Sequence, residues 1–234
     1  MFGIDIYYII LVVPTILLSM WAQFMVKTTF SNFSKVHCSS GVTGTEAANL
    51  LLKSNNINDV AVEAVKGTLT DHYSPSDKKL RLSDPVYGAS TIAAVGVAAH
   101  EAGHAIQHAT KWGPLVLRST LVPVANIGSK FGPLIAVAGL GISASESLGS
   151  FSGLVFTIGI LLFCGAVVFY IITLPVEFNA SNRAIAILRS ANVLNDNELK
   201  GVRKVLNAAA LTYIASALTA VASLIRLLLI RRRR

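Results

Sequence analysis

The sequence predicts a mainly α fold: a polytopic membrane bundle of about four helical spans, with a small α+β part beside the membrane. Three observations point there. Of 234 residues, 53% are hydrophobic and only 14% charged, with a mean hydropathy of +0.61, too apolar for an ordinary soluble domain. The apolar residues gather into four runs, at about 4–26, 115–147, 153–174 and 211–230. Between the first two runs lies a polar stretch, Phe30 to Lys111, with turn and cap signals of its own. A single membrane-embedded domain, 1–234, accommodates all of this. The formal net charge of +8 reads as basic cytoplasmic loops and attraction to an anionic lipid surface. No basic patch is interleaved with aromatics, so the lipid bilayer is an expected partner and nucleic acid is not.

Each element follows from local signals. Ile4 to Val26 is nearly uncharged and long enough to cross a bilayer. It lacks the basic start and small-residue cleavage site of a signal peptide, so a retained anchor is expected, with a tolerable kink at Pro14. Thr43-Gly44-Thr45-Glu46 reads as a capping box opening a short helix that stops near Asn55-Asn56. Thr68 to Tyr73 and Leu80 to Ser83 suit two short strands, joined by turn chemistry at Pro75-Ser76-Asp77. Pro114 to Ser147 is apolar but carries Arg118, Lys130 and Gly132-Pro133. It fits either one long bent helix or an interfacial segment followed by a short span from Phe131. Gly153 to Leu174 is a cleaner span, and Ser143 to Ser152 before it holds Glu146 and no basic residue. Pro175 to Ala209 is polar again, with a helix expected from Asp196, and Leu211 to Ile230 is a final apolar run carrying Arg226. Cys38 lies in a loop and Cys164 in an apolar run, so neither a disulfide nor a cysteine metal site is expected.

The chemistry sits in His100-Glu101-Ala102-Gly103-His104, an H-E-x-x-H run following the small apolar stretch Gly88 to Ala99. On one helix, His100 and His104 are a turn apart and project from the same face, where two neutral imidazoles can grip one tetrahedral zinc ion. Glu101 then stands beside the metal, placed to take a proton from a zinc-activated water. A chance match is the weaker explanation, because two histidines and a glutamate are expensive to bury without a use.

Two histidines do not close a catalytic zinc site, which takes a third protein ligand. His108 lies about 12 Å along a straight helix from His100 at 1.5 Å per residue, too far to share the metal. Gln107 and Thr110 stand where a metzincin would have Gly and His. His108 is therefore expected as an outer or helix-end residue. The alternative is a carboxylate on another helix, on the same side of the membrane. Two crossings separate the metal helix from the segment after Leu174, and the first acid of that segment is Glu177. A surface pair of Glu177 with Arg183 is the weaker alternative. Glu198 lies on the same side but deeper in a charged helix, where a solvated acid is the plainer role, and Glu146 is on the opposite side. His72, in the proposed hairpin, and Tyr213, at the start of the last run, are tentative donors to the oxyanion of a tetrahedral intermediate. Each has an equally good plain role, as a surface strand histidine or an interfacial aromatic.

Glu177-Phe178-Asn179-Ala180-Ser181-Asn182-Arg183-Ala184 resembles the E-[FY]-x-A-D-x-x-A stretch of gluzincin membrane peptidases, the class that includes the HtpX and CAAX-protease families. In that pattern the glutamate is the third zinc ligand and the aspartate orients a ligand histidine; here Ser181 replaces the aspartate. Over nearly its full length the chain resembles the bacterial neutral zinc metallopeptidases of the YugP type, in which serine also stands at that place. The matching stretches are Leu69 to Tyr73, Leu80 to Ser83, Val97 to Gln107, Thr173 to Ser181 and Ala208 to Tyr213. The resemblance implies a gluzincin-like membrane zinc peptidase with one zinc ion and a peptide or protein substrate.

The expectation is thus a zinc-dependent endopeptidase at the membrane surface, with His100, His104 and Glu177 on the metal and Glu101 as general base. A hairpin strand could pair with an extended peptide substrate. A catalytically inactive zinc-binding membrane scaffold or adaptor is the alternative, although a purely structural site has no need of Glu101. No LDG-like partner motif supports an intramembrane site-2-type protease. The plasma membrane is the expected location, and charge sets the N-terminus outside and the site on the cytoplasmic side, because Lys and Arg crowd Phe30 to Lys111 and Pro175 to Ala209. Four full crossings would leave Arg231 to Arg234 outside, against the same rule, so the last helix either stops short of crossing or holds that cluster at the headgroups.

Overall fold

The computed structural model describes residues 5–142 and 149–233. Most of the loop expected at 143–152, with Glu146 and Ser147, lies outside the described residues. A π-helical turn, Tyr8–Val12, leads into α1 (Val13–Phe33). Then come α2 (Gly44–Ser54), β1 (Ala61–Val65), β2 (His72–Ser74), β3 (Lys79–Ser83), α3 (Asp84–Tyr87) and α4 (Ile92–Ala109), followed by α5 (Gly113–Ile142), α6 (Gly149–Ser190) and α7 (Asp196–Arg232). The fold is mainly α with a small mixed sheet, and among the described residues four helices are long and apolar enough to cross a membrane: Tyr8–Phe33, Gly113–Ile142, Phe151–Ser190 and Asp196–Arg232.

The chain forms two compact units. One holds residues 22–116 and 175–211. Its α2 starts where Thr43 accepts from the Glu46 N–H while the Glu46 carboxylate accepts from the Thr43 N–H, the reciprocal cap expected from the sequence. Gly44 lies against the Val86 carbonyl, where any Cβ would collide, so α2 can approach α3 only with glycine there. The sheet order is β1-β3-β2, with β1 parallel and β2 antiparallel to β3. The β2–β3 hairpin matches expectation, but β2 is shorter than Thr68 to Tyr73 and β1 was not expected at all. The segment before β2 is held by Asp71, whose carboxylate accepts from the Ser83 N–H (2.7 Å) and hydroxyl (2.8 Å). Around Leu51, Leu52, Leu80, Leu82, Val95 and Leu188 a single apolar core joins α2, the sheet, α4 and the later part of α6.

The other unit holds residues 5–21, 117–142, 149–174 and 212–233. Here α5 and α6 meet through small residues: Gly128 against the Leu162 carbonyl, Gly139 against the Phe156 backbone and Gly159 against the Ala136 backbone. Such close approach is how membrane helices gain packing without a hydrophobic drive between them. Arg226, which stood alone in the last apolar run, donates to Asp5 through Nη2 at 2.6 Å and lies over the Tyr8 ring at 5.0 Å. The two readings of residues 114–147 resolve in favour of one helix as far as Ile142, with Pro123 and Pro133 inside it. At the other boundary, α6 runs unbroken through Pro175 for 42 residues. The expected end of the span at Leu174 marks where that helix passes from one unit to the other.

Candidate metal centre

Thr91 opens α4 by accepting from the Ala94 N–H. The alanines that follow, Ala93, Ala94, Ala98, Ala99 and Ala102, are fully buried. Side chains this small let α4 lie deep among its neighbours. The closest approach is at Gly103, where a Cβ would stand 2.6 Å from the Ala180 carbonyl oxygen. Gly103 precedes His104 by one residue and Ala180 lies between Glu177 and Ser181, so this contact sets the separation of the two functional stretches.

At that crossing three side chains converge. The Nε2 atoms of His100 and His104 are 3.2 Å apart, and Glu177 Oε2 lies 3.3 Å from the first and 3.5 Å from the second. Both imidazoles are 12% exposed and the carboxylate 3%. Two ring nitrogens and a buried carboxylate oxygen facing one another form a group that a shared proton or a metal cation can satisfy. A tetrahedral zinc ion with bonds of about 2.0–2.1 Å has ligand atoms about 3.3 Å apart. The observed triangle therefore has the size of one face of such a tetrahedron. Among the described residues this is the group of His, Cys, Asp and Glu side chains able to hold a metal ion.

Groups behind the imidazoles orient them. The Nδ1 of His100 lies 3.1 Å from Ser181 Oγ, so serine occupies the supporting place that aspartate has in the wider pattern. The Nδ1 of His104 lies 3.0 Å from Gln107 Oε1. Burial opposes protonation of His104, but the hydrogen bond to Glu177 and the charges of Glu101 and Glu177 outweigh it and raise its pKa above the ordinary value. A pocket that draws a proton onto a buried imidazole in this way also suits a metal cation.

Glu101 is outside that triangle. Its Oε2 accepts from the Tyr73 main-chain N–H at 3.0 Å. Tyr73 is on β2, an edge strand, and its hydroxyl lies 2.8 Å from His108 Nδ1. Thus β2 and α4 are tied at both Glu101 and His108, and His108 is the helix-end residue expected of it. His72 is exposed, its Nδ1 2.8 Å from the Thr70 carbonyl and its Nε2 3.5 Å from Arg81. Tyr213, half-buried on α7, belongs to the other compact unit. Glu198 is apart from the triangle, but it is not a solvated acid: it is buried and accepts from the Ser39 N–H at 2.6 Å and the Asn195 N–H at 2.8 Å. Arg183, offered as a surface partner for Glu177, donates instead to Asn179 Oδ1. Sequence reasoning missed Gln107 and Tyr73. The first looked like a mere departure from another pattern, and the second acts through its main chain, which leaves no trace in side-chain identity.

The family described as "Putative neutral zinc metallopeptidase" matches residues 8–232. A protein of Bacillus subtilis (strain 168) named "Putative membrane protease YugP" is 48% identical over 223 residues, which cover 95% of this chain and 96% of that one. No solved structure matches the chain.

Proposed function

Because the chain belongs to the neutral zinc metallopeptidase family, we propose that it is a zinc-dependent endopeptidase acting at the membrane surface, with the whole chain working as one membrane-embedded peptidase domain. The observation that carries this reading is the buried triangle of His100, His104 and Glu177, with edges of 3.2 to 3.5 Å, beside a glutamate that is not part of it. In this reading those three residues hold the ion. Zinc supplies the Lewis acidity that polarises the scissile carbonyl and makes water easier to ionise. Glu101 is the general base. Its carboxylate takes the proton of the attacking water and passes it to the leaving amine. The Tyr73 N–H fixes one carboxylate oxygen and leaves the other for that proton. An extended peptide lying along the β2 edge is the substrate arrangement that suits the site. His72, in the same compact unit as the triangle, is the candidate donor to the oxyanion. In the membrane, the site faces the cytoplasm and the N-terminus lies outside, because the short segment after Glu177 carries Arg183 and Arg189.

A zinc-holding scaffold without activity is the competing reading, and Glu101 weighs against it, since a structural site has no use for a held base. Hydrolysis of casein or an unstructured peptide by the purified protein separates the two. The expected result is activity that a chelator abolishes and added zinc restores. Hydrolysis that persists undiminished in chelator, or a zinc-loaded protein that cleaves nothing, contradicts the proposal.

A further inference from the structure

Gln107 is fully buried and lies on the same helix as the two imidazoles. Its amide nitrogen donates to the Val176 main-chain oxygen at 2.8 Å and to Asn179 Oδ1 at 3.0 Å. A main-chain carbonyl only accepts, so the nitrogen has to be on that side. Asn179 is fixed in its turn, because Arg183 Nε donates to the same Oδ1 at 2.8 Å. Reversing the Gln107 amide would set its oxygen against two acceptors. The Gln107 oxygen is thereby committed to the other side, where it meets His104 Nδ1 at 3.0 Å. An amide oxygen also only accepts, so Nδ1 carries the proton. A neutral ring has one N–H, and His104 Nε2 is left with its lone pair toward His100 and Glu177.

We propose that Gln107 is the positioning residue that holds His104 as the Nδ1–H tautomer with Nε2 free to bind metal, and that Asn179 and Arg183 lock the Gln107 amide in that sense. The inference rests on the reading of His104 as a ligand. It gives α6 a second task. The stretch that presents Glu177 also orients both imidazoles, His100 directly through Ser181 and His104 through Val176, Asn179 and Gln107. Ligand histidines commonly hand their second N–H to a carboxylate or a carbonyl, and loss of that partner typically weakens metal binding by about 10–100-fold. A glutamine at this place supports the ring without adding a charge to a pocket that already contains Glu101 and Glu177.

The test uses the full chain in detergent micelles. Gln107→Met removes the acceptor at similar volume, and Arg183→Ala loosens the amide lock while leaving Gln107 and all three ligand side chains in place. Zinc affinity is read by competition with a chromophoric chelator, and the His104 tautomer by nitrogen NMR of the zinc-free, histidine-labelled protein at a pH alkaline enough to keep the ring neutral. Gln107→Met should bind zinc about 10–100-fold more weakly and lose the Nδ1–H signature. Arg183→Ala should fold and show a smaller loss of the same kind. Unchanged affinity and tautomer in both variants would overturn the inference while leaving the ligand set intact. If His104→Ala itself leaves zinc affinity unchanged, the reading of the site falls, and this inference with it.

Discussion

Glu177 is the residue on which the site turns. A carboxylate this deeply buried is costly unless a cation satisfies it, and the groups it faces are two imidazole nitrogens within 3.5 Å. Glu177→Ala should therefore weaken zinc binding by more than about 100-fold, beyond the usual effect of losing a supporting group. His108→Ala should leave it nearly unchanged, since His108 Nδ1 is engaged with the Tyr73 hydroxyl. Metal analysis of the two purified variants checks this, and the opposite ranking would move the third ligand to His108. Glu177 was legible in the sequence because counting crossings puts it back on the side of His100, and its neighbours match a known pattern. The supporting groups were not legible. Glutamine three residues after His104 is an ordinary helix residue until α6 supplies the carbonyl that orients it, and the main-chain donor to Glu101 exists only once β2 has formed.

At the scale of elements, α4 and α6 bring the ligands together, and Gly103 sets their separation. A methyl group there would stand 2.6 Å from the Ala180 carbonyl oxygen, which is backbone and cannot rotate away. Gly103→Ala should push the helices apart, lower the unfolding temperature in micelles and reduce zinc affinity by at least about 10-fold, as loss of ligand orientation does; zinc titration with normal affinity would contradict it. The α2 cap gives a pH prediction. The Thr43 N–H, then its hydroxyl, lower the Glu46 pKa from its ordinary 4.5. A carboxylate with a lowered folded pKa contributes stability above its unfolded value and loses it as pH falls through the folded value. The unfolding-temperature gap between wild type and Glu46→Gln should thus be open at neutral pH and close in acid; a gap that widens in acid would contradict the cap. This cap was readable because a capping box is local. β1 was not, because Ala61–Val65 is short and pairs in parallel with β3 through sheet neighbours that no local pattern announces. The continuity of α6 through Pro175 was hidden because proline usually signals a break, whereas here it lies inside an unbroken helix.

Across the whole molecule, four helices long and apolar enough to span match the four apolar runs, because length and hydropathy alone define such segments. The proposed orientation rests on charge asymmetry read in short segments. In a chain lacking Cys38 and Cys164, a membrane-impermeant thiol reagent on intact cells should label Ser147→Cys and not Ser190→Cys. The reverse pattern would put the site outside the cell. Asp5 shows what composition hides at this scale: the acid that balances Arg226 lies 221 residues away in sequence. The central claim is that a zinc ion held by His100, His104 and Glu177 works with Glu101 as a base that is not itself a ligand. The most direct test measures zinc content and peptide hydrolysis on the same preparations of wild type and Glu101→Gln. The predicted result is one zinc ion per chain in both proteins and hydrolysis in wild type alone. A Glu101→Gln protein that cleaves peptide as fast as wild type would contradict the account.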